Sequence, residues 1–209
     1  VRGFVAEEVR FGAGARHDTA AVPRLTAREV ELNIGLRALL RGRIQVDAIM
    51  LRGGKLEWNL AITNGIAAAP LQVDNIESRL RFLPGDQWEL EDLRGQFAGA
   101  KFFLRGSLTN ASAMQEWQFT RGDRPVNQQR AADQLRQLAD VLERIKFGTP
   151  PELRLNVYGD ARDLGSFNAR LSLKANDAET PWGTAHETLL LAQVFAATGN
   201  ELSRAEITL

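Results

Sequence analysis

The side chains able to do chemistry are few and scattered. His17 and His186 stand far apart in a chain of 209 residues, and neither lies at a metal-ligand or catalytic-triad spacing. His17 sits in a polar loop beside Asp18, and His186 follows Trp182-Gly183 at a strand start. Glu89, Glu91 and Asp92 come nearest to a paired acid. Glu89 and Glu91, however, fall on the charged phase of an alternating segment, where carboxylates are solvated rather than tuned for proton transfer. Asp160, Asp163 and Asp177 do not follow a calcium-loop spacing. Gly12-Ala-Gly14-Ala-Arg16 has too few glycines, and no helix after it, to cradle a phosphate. Arg121-Gly-Asp123 marks a turn, and Asn110-Ala-Ser112 is a glycosylation acceptor only in a host that glycosylates. With no cysteine there is no thiolate nucleophile, thiolate metal site or disulfide. The expectation is therefore a non-enzymatic chain with no catalytic, metal or cofactor site.

Composition narrows the partners. Lys plus Arg and Asp plus Glu both number 26, and a neutral chain lacks the surplus cation that nucleic-acid binding needs. Hydrophobic residues at 44% with 25% charged residues describe a folded chain rather than a disordered one. No apolar run approaches the length of a membrane-spanning helix. The chain begins at Val1 in sequence that is already patterned and ends in alternation at Ala205, Ile207 and Leu209. It reads as one β-rich segment, 1–209, excerpted from a longer protein.

The elements that must carry any function are strands. Ile76, Ser78, Leu80 and Phe82 alternate with Glu77, Arg79 and Arg81, a period of two with one apolar and one charged face. Val30, Leu32, Ile34 and Leu36 do the same, as do Leu56, Trp58 and Leu60, then Leu153, Leu155 and Val157, then Phe167, Ala169, Leu171 and Leu173. Turn residues separate these runs at Gly12–Gly14, Asn64-Gly65, Pro84-Gly85-Asp86 and Gly99, and Gly53-Gly54 reads as a hairpin turn. Phe4, Ala6, Val9 and Phe11 share a spacing with Ile44, Val46, Ile49 and Leu51, and again with Trp88, Leu90, Leu93 and Gly95. Each run slips by one residue at its centre, which calls for a bulge and a bent or coiled sheet. One segment differs. From 127 to 146, Ala131, Leu135, Leu138, Leu142 and Ile145 form the stripe of an amphipathic helix, with Asn127 as N-cap and Gly148 and Pro150-Pro151 beyond its end. Its other face mixes both charges and lacks the cationic excess of a membrane-surface helix. The fold class expected is mainly β: a long curved antiparallel sheet forming an open groove or incomplete barrel, with a helical insertion at 127–146.

One helix covers the width of about two strands, so several strands' worth of apolar face must close on itself or face a lipid. Leu39-Leu40-Arg-Gly-Arg-Ile44-Gln-Val-Asp47-Ala-Ile-Met-Leu51-Arg-Gly-Gly-Lys-Leu-Glu-Trp58 resembles the repeated phrase of the AsmA-like proteins of diderm bacteria. The strand Arg28–Ile34 before it is similar to the strand that precedes that phrase. The stretch from Trp88 to Leu108 is similar to the later strand, glycine, strand, glycine phrase, and together these segments cover about a third of the chain.

The resemblance, to the AsmA-like and TamB-like family, implies a β-sheet rolled into an open groove with a hydrophobic interior. It implies periplasmic placement, an inner-membrane anchor outside this chain, possible envelope protein partners, and phospholipid transport or outer-membrane assembly as the task. The residues expected to face inward are Ile34, Leu36, Ile44, Val46, Ile49, Leu51, Leu56, Trp58, Leu80, Phe82, Trp88 and Leu90. Two other expectations stand beside this one: a closed β-sandwich that docks a protein partner, and a hydrolytic enzyme on a β-scaffold, for which no facing carboxylate pair is visible.

Overall fold

The computed structural model describes residues 3–11, 24–58, 70–116, 136–137, 139–180, 183–195 and 204–208. Eleven strands follow one another: β1 (Gly3–Phe11), β2 (Arg24–Ile34), β3 (Val46–Trp58), β4 (Leu71–Leu83), β5 (Gln87–Phe97), β6 (Ala100–Thr109), β7 (Lys146–Phe147), β8 (Glu152–Asp160), β9 (Asp163–Thr180), β10 (Gly183–Phe195) and β11 (Arg204–Thr208). A helical turn, α1 (Leu36–Leu39), joins β2 to β3, and a 3-10 helix spans Ala111–Glu116. Ten strands form one sheet in the order β1-β2-β3-β4-β5-β6-β8-β9-β10-β11, and the two-residue β7 pairs with β9. β1 and β11 are its two edges, so the sheet is open rather than a closed barrel.

The slips expected from the sequence are irregularities of the backbone, and two of the three are register shifts. On β1, Phe4 and Ala6 lie on the same face as Val9 and Phe11, pairing with Leu32, Val30, Ala27 and Leu25. Glu8, between them, takes the left-handed conformation at φ 52, and the one-to-one pairing with β2 runs unshifted past it. On β5 the register shifts between Leu90 and Leu93. In the third copy the irregularity falls where Ile34 meets Val46. Glu8, Arg28 and Gly53 stand in one row across β1, β2 and β3, and Asn75 on β4 repeats the left-handed conformation at φ 53. Bulges of this kind bend a sheet and increase its twist.

Two expectations are corrected, and the end of a third element is moved. Gly53-Gly54 is no hairpin turn; both residues lie inside β3, where Gly53 at φ 60 is a bulge residue and the space over Gly54 is filled by Leu51 and Ile76. Glycine tolerates a left-handed φ in a bulge as readily as in a turn, so the dipeptide alone does not separate them. The sheet is not wholly antiparallel, because β6 and β8 run parallel from Lys101↔Glu152 to Thr109↔Asp160. Parallel neighbours need a long crossover, and residues 110–151 supply it. The expected helix at 127–146 lies in that crossover: residues 136–137 and 139–144 are helical, 127–135 and 138 fall outside the described residues, and Lys146 already belongs to β7. The insertion thus turns the chain around without interrupting the sheet, since Phe102↔Leu153, Leu104↔Leu155 and Gly106↔Val157 carry the apolar phase across the parallel joint.

Candidate functional site

Register pairing fixes which side chains share a face, and it puts the two chemistries on opposite sides. On one side Glu29 accepts from Arg52 at 2.8 Å, Arg79 meets Glu91 at 3.0 Å, and Arg81 reaches Glu91 at 3.0 Å and Glu89 at 3.5 Å. Arg94 pairs with Glu77, and Lys55 meets Glu57 at 2.7 Å, a hydrogen bond that raises the lysine pKa. Lys55–Glu57 lies within β3; the other pairs join β2 to β3 and β4 to β5, and opposite charges across a ladder favour that register. The Arg154 guanidinium lies 5.0 Å from the centre of the Phe103 ring on the same side. Glu89 and Glu91, the nearest thing to a catalytic acid pair, are therefore occupied as arginine partners on an open surface.

The other side is apolar from strand to strand. Phe4, Leu32, Ile49, Leu80, Leu90 and Gly106 form one row across β1 to β6. Val157, Ala169 and Val194 continue it through β8, β9 and β10. Phe82 and Trp88 are paired in register and meet edge to face, with ring centres 5.3 Å apart. The glycines on this face are covered by neighbours' rings: Phe102 lies over Gly95, and Phe167 over Gly159.

Among the described residues no second sheet lies over this face. Two stacked sheets would bury the larger side chains between them. Here the buried apolar residues are mostly alanines, with Val30, Ile34 and Ile76 the largest aliphatics. Leu32, Ile49, Leu51, Leu56, Trp58, Leu80, Phe82, Trp88 and Leu90 are half-buried.

Ten of the residues expected to face inward lie on this side: Ile34, Val46, Ile49, Leu51, Leu56, Trp58, Leu80, Phe82, Trp88 and Leu90. Leu36 and Ile44 do not. Leu36 opens α1 and is 60% exposed, while Ile44 precedes β3 and is 79% exposed. Gly35 ends β2, so the alternation that reached Leu36 in the sequence stops one residue short. Leu93, Phe97, Leu104, Leu108, Leu153, Leu155, Leu171 and Leu173 belong to the face as well, and the same alternation marks them.

The isolated polar groups build structure. His186 Nδ1 lies 2.8 Å from an Asp177 carboxylate oxygen, both exposed; His17 is outside the described residues. Asp160 accepts from the Arg162 backbone N–H at 2.9 Å and from the Asn110 amide at 2.7 Å, and these bonds, in that order, hold its pKa below the usual carboxylate value. The Asn110 side chain is thereby engaged in closing the rim between β6 and β8. Among the described residues no three His, Asp or Glu side chains gather as a metal site, and no helix is long and apolar enough to cross a membrane.

No protein-family model, curated protein or solved structure matches this chain.

Proposed function

We propose that this chain is a segment of a lipid-shielding wall in a bacterial envelope protein of the AsmA-like and TamB-like kind. Its apolar face would cover the acyl chains of phospholipid during movement between membranes, while its charged face meets the aqueous periplasm. One observation carries the reading: a single open sheet presents a continuous, half-exposed apolar face over β1 to β10, backed by a charged face. Apolar surface on that scale, left uncovered, marks a binding site.

No bond is broken in this task, so no catalytic group is required. A ten-residue strand spans roughly 33 Å, and an acyl chain laid across such strands is sheltered while its headgroup stays wet. Each Å² of apolar surface removed from water supplies about 25 cal/mol. The protein would be held at the inner membrane through an anchor outside this chain, and other envelope proteins would join it end to end.

Native mass spectrometry of gently purified protein tests the reading. Co-purified phospholipid is expected on the unaltered chain. Val46→Asp and Leu80→Asp, which place a carboxylate on the apolar face, should abolish it while the β circular-dichroism signal persists. Undiminished lipid capture in both variants, or none in the parent, overturns the proposal.

A further inference from the structure

The connection from β2 to β3 displays apolar side chains that the sheet does not use. Gly35 donates its N–H to the Gln45 carbonyl at 3.0 Å and closes the loop from which α1 springs. At the far end Gly42 takes φ 69; its N–H donates to Leu39 at 3.0 Å, and the Arg43 N–H donates to Ala38 at 2.9 Å. Those two bonds form a Schellman cap, so the tip is a built structure. Such a cap commonly packs an apolar residue after the glycine against the last helical turn. Here Arg43 occupies that position, exposed, and the leucines stay outside. Leu36, Leu39, Leu40 and Ile44 are 60, 53, 80 and 79% exposed.

Within the tip the charges have one sign, and the Asp47 carboxylate lies at its base beside Gly35. Arg41 and Arg43 are exposed, Arg37 adds a third cation in the sequence, and no Asp or Glu occurs between 35 and 46. The segment at 127–146, by contrast, balances its arginines with Asp133, Asp140 and Glu143. Exposed aliphatic side chains ringed by unbalanced arginines match a membrane interface, where the former enter the acyl boundary and the latter meet anionic headgroups. At the base of the tip Ile34 pairs with Val46, so the tip continues directly into the sheet's apolar face.

We infer that the tip at 36–44 docks this protein onto an anionic phospholipid surface. Docking does not depend on the apolar face holding lipid, and the two readings fail separately.

Flotation of the full chain with phosphatidylcholine vesicles, with and without phosphatidylglycerol, tests it. The parent protein should float with the anionic vesicles, and high salt should weaken that binding. Leu39→Ser with Leu40→Ser should lower the partition coefficient by at least about tenfold. Arg41→Ser with Arg43→Ser should lower it by roughly tenfold on the anionic vesicles only. Both double variants change exposed side chains and should keep the parent's co-purified phospholipid. A parent that does not float, or variants that float equally well, overturns docking whatever the co-purified lipid shows. Flotation that responds to both variants upholds docking even where no lipid co-purifies.

Discussion

Gly106→Ala probes the joint on which the continuity of the sheet depends. Gly106 lies on β6 opposite Val157 of β8, the parallel neighbour, and a Cβ at position 106 would overlap the Val157 carbonyl oxygen. The obstacle is backbone, which cannot turn aside as a side chain does. β8 must therefore move away from β6, and the local ladder bond goes with it. Overpacking costs about 1–3 kcal/mol, and an unmade backbone hydrogen bond adds roughly 1 kcal/mol. A loss of about 3 kcal/mol is expected, a substantial fraction of the roughly 5–15 kcal/mol that stabilises an ordinary domain. With a urea slope of about 2 kcal/mol per molar, the unfolding midpoint falls by roughly 1.5 M. Hydrogen exchange should place the loss on β6 and β8. Gly85→Ala is the comparison: its φ is 83, but a Cβ there meets open space, so only the strain of the left-handed backbone is added, about 1 kcal/mol. A Gly106→Ala midpoint shift no larger than that of Gly85→Ala refutes the parallel joint as described.

Further expectations concern the bulge row, the charged face and acid stability. Gly53→Ala should destabilise by about 1–2 kcal/mol in urea, and Gly53→Asn by less, because asparagine tolerates the left-handed conformation; equal losses would count against the bulge. Arg81→Ala removes two half-exposed ion pairs and should cost under about 1 kcal/mol, with the loss shrinking in high salt; a loss of several kcal/mol would mean that the charged face is buried. Asp160 has a lowered folded pKa, so its contribution is in place above its ordinary value of 3.8 and disappears as pH falls through the lowered one. The stability gap between the parent and Asp160→Asn should hold at neutral pH and close on acidification below that value; a gap that widens in acid has the wrong sign.

Much of the fold is legible in the sequence because a half-exposed sheet prints its two faces as alternation. The positions of Phe4, Ala6, Val9 and Phe11 even betray the left-handed backbone at Glu8, since a slip of one residue must be absorbed locally to keep one face apolar. What stays hidden turns on pairing and on competing local structure. Gly53-Gly54 has the chemistry of a turn, and only β2 and β4 on either side make it a bulge. Leu36 and Ile44 keep the apolar phase, yet Gly35 and the cap at Gly42 divert them into a turn. The parallel pairing of β6 with β8 leaves no local mark, because its alternation is that of any strand. The apolar face was readable residue by residue; that the described strands form one open sheet, with no second sheet stacked on it, is a property of the whole pairing order.

The most direct test of lipid shielding is photo-crosslinking from the two faces of neighbouring positions. A photoreactive amino acid at Leu80 or Leu90 stands on the apolar side, and one at Arg79 or Glu89 stands on the charged side. In protein produced in a diderm bacterium and analysed by mass spectrometry, phospholipid adducts are expected from positions 80 and 90 and not from 79 and 89. Adducts from both faces alike, or from neither, would contradict a wall that shelters lipid on one side.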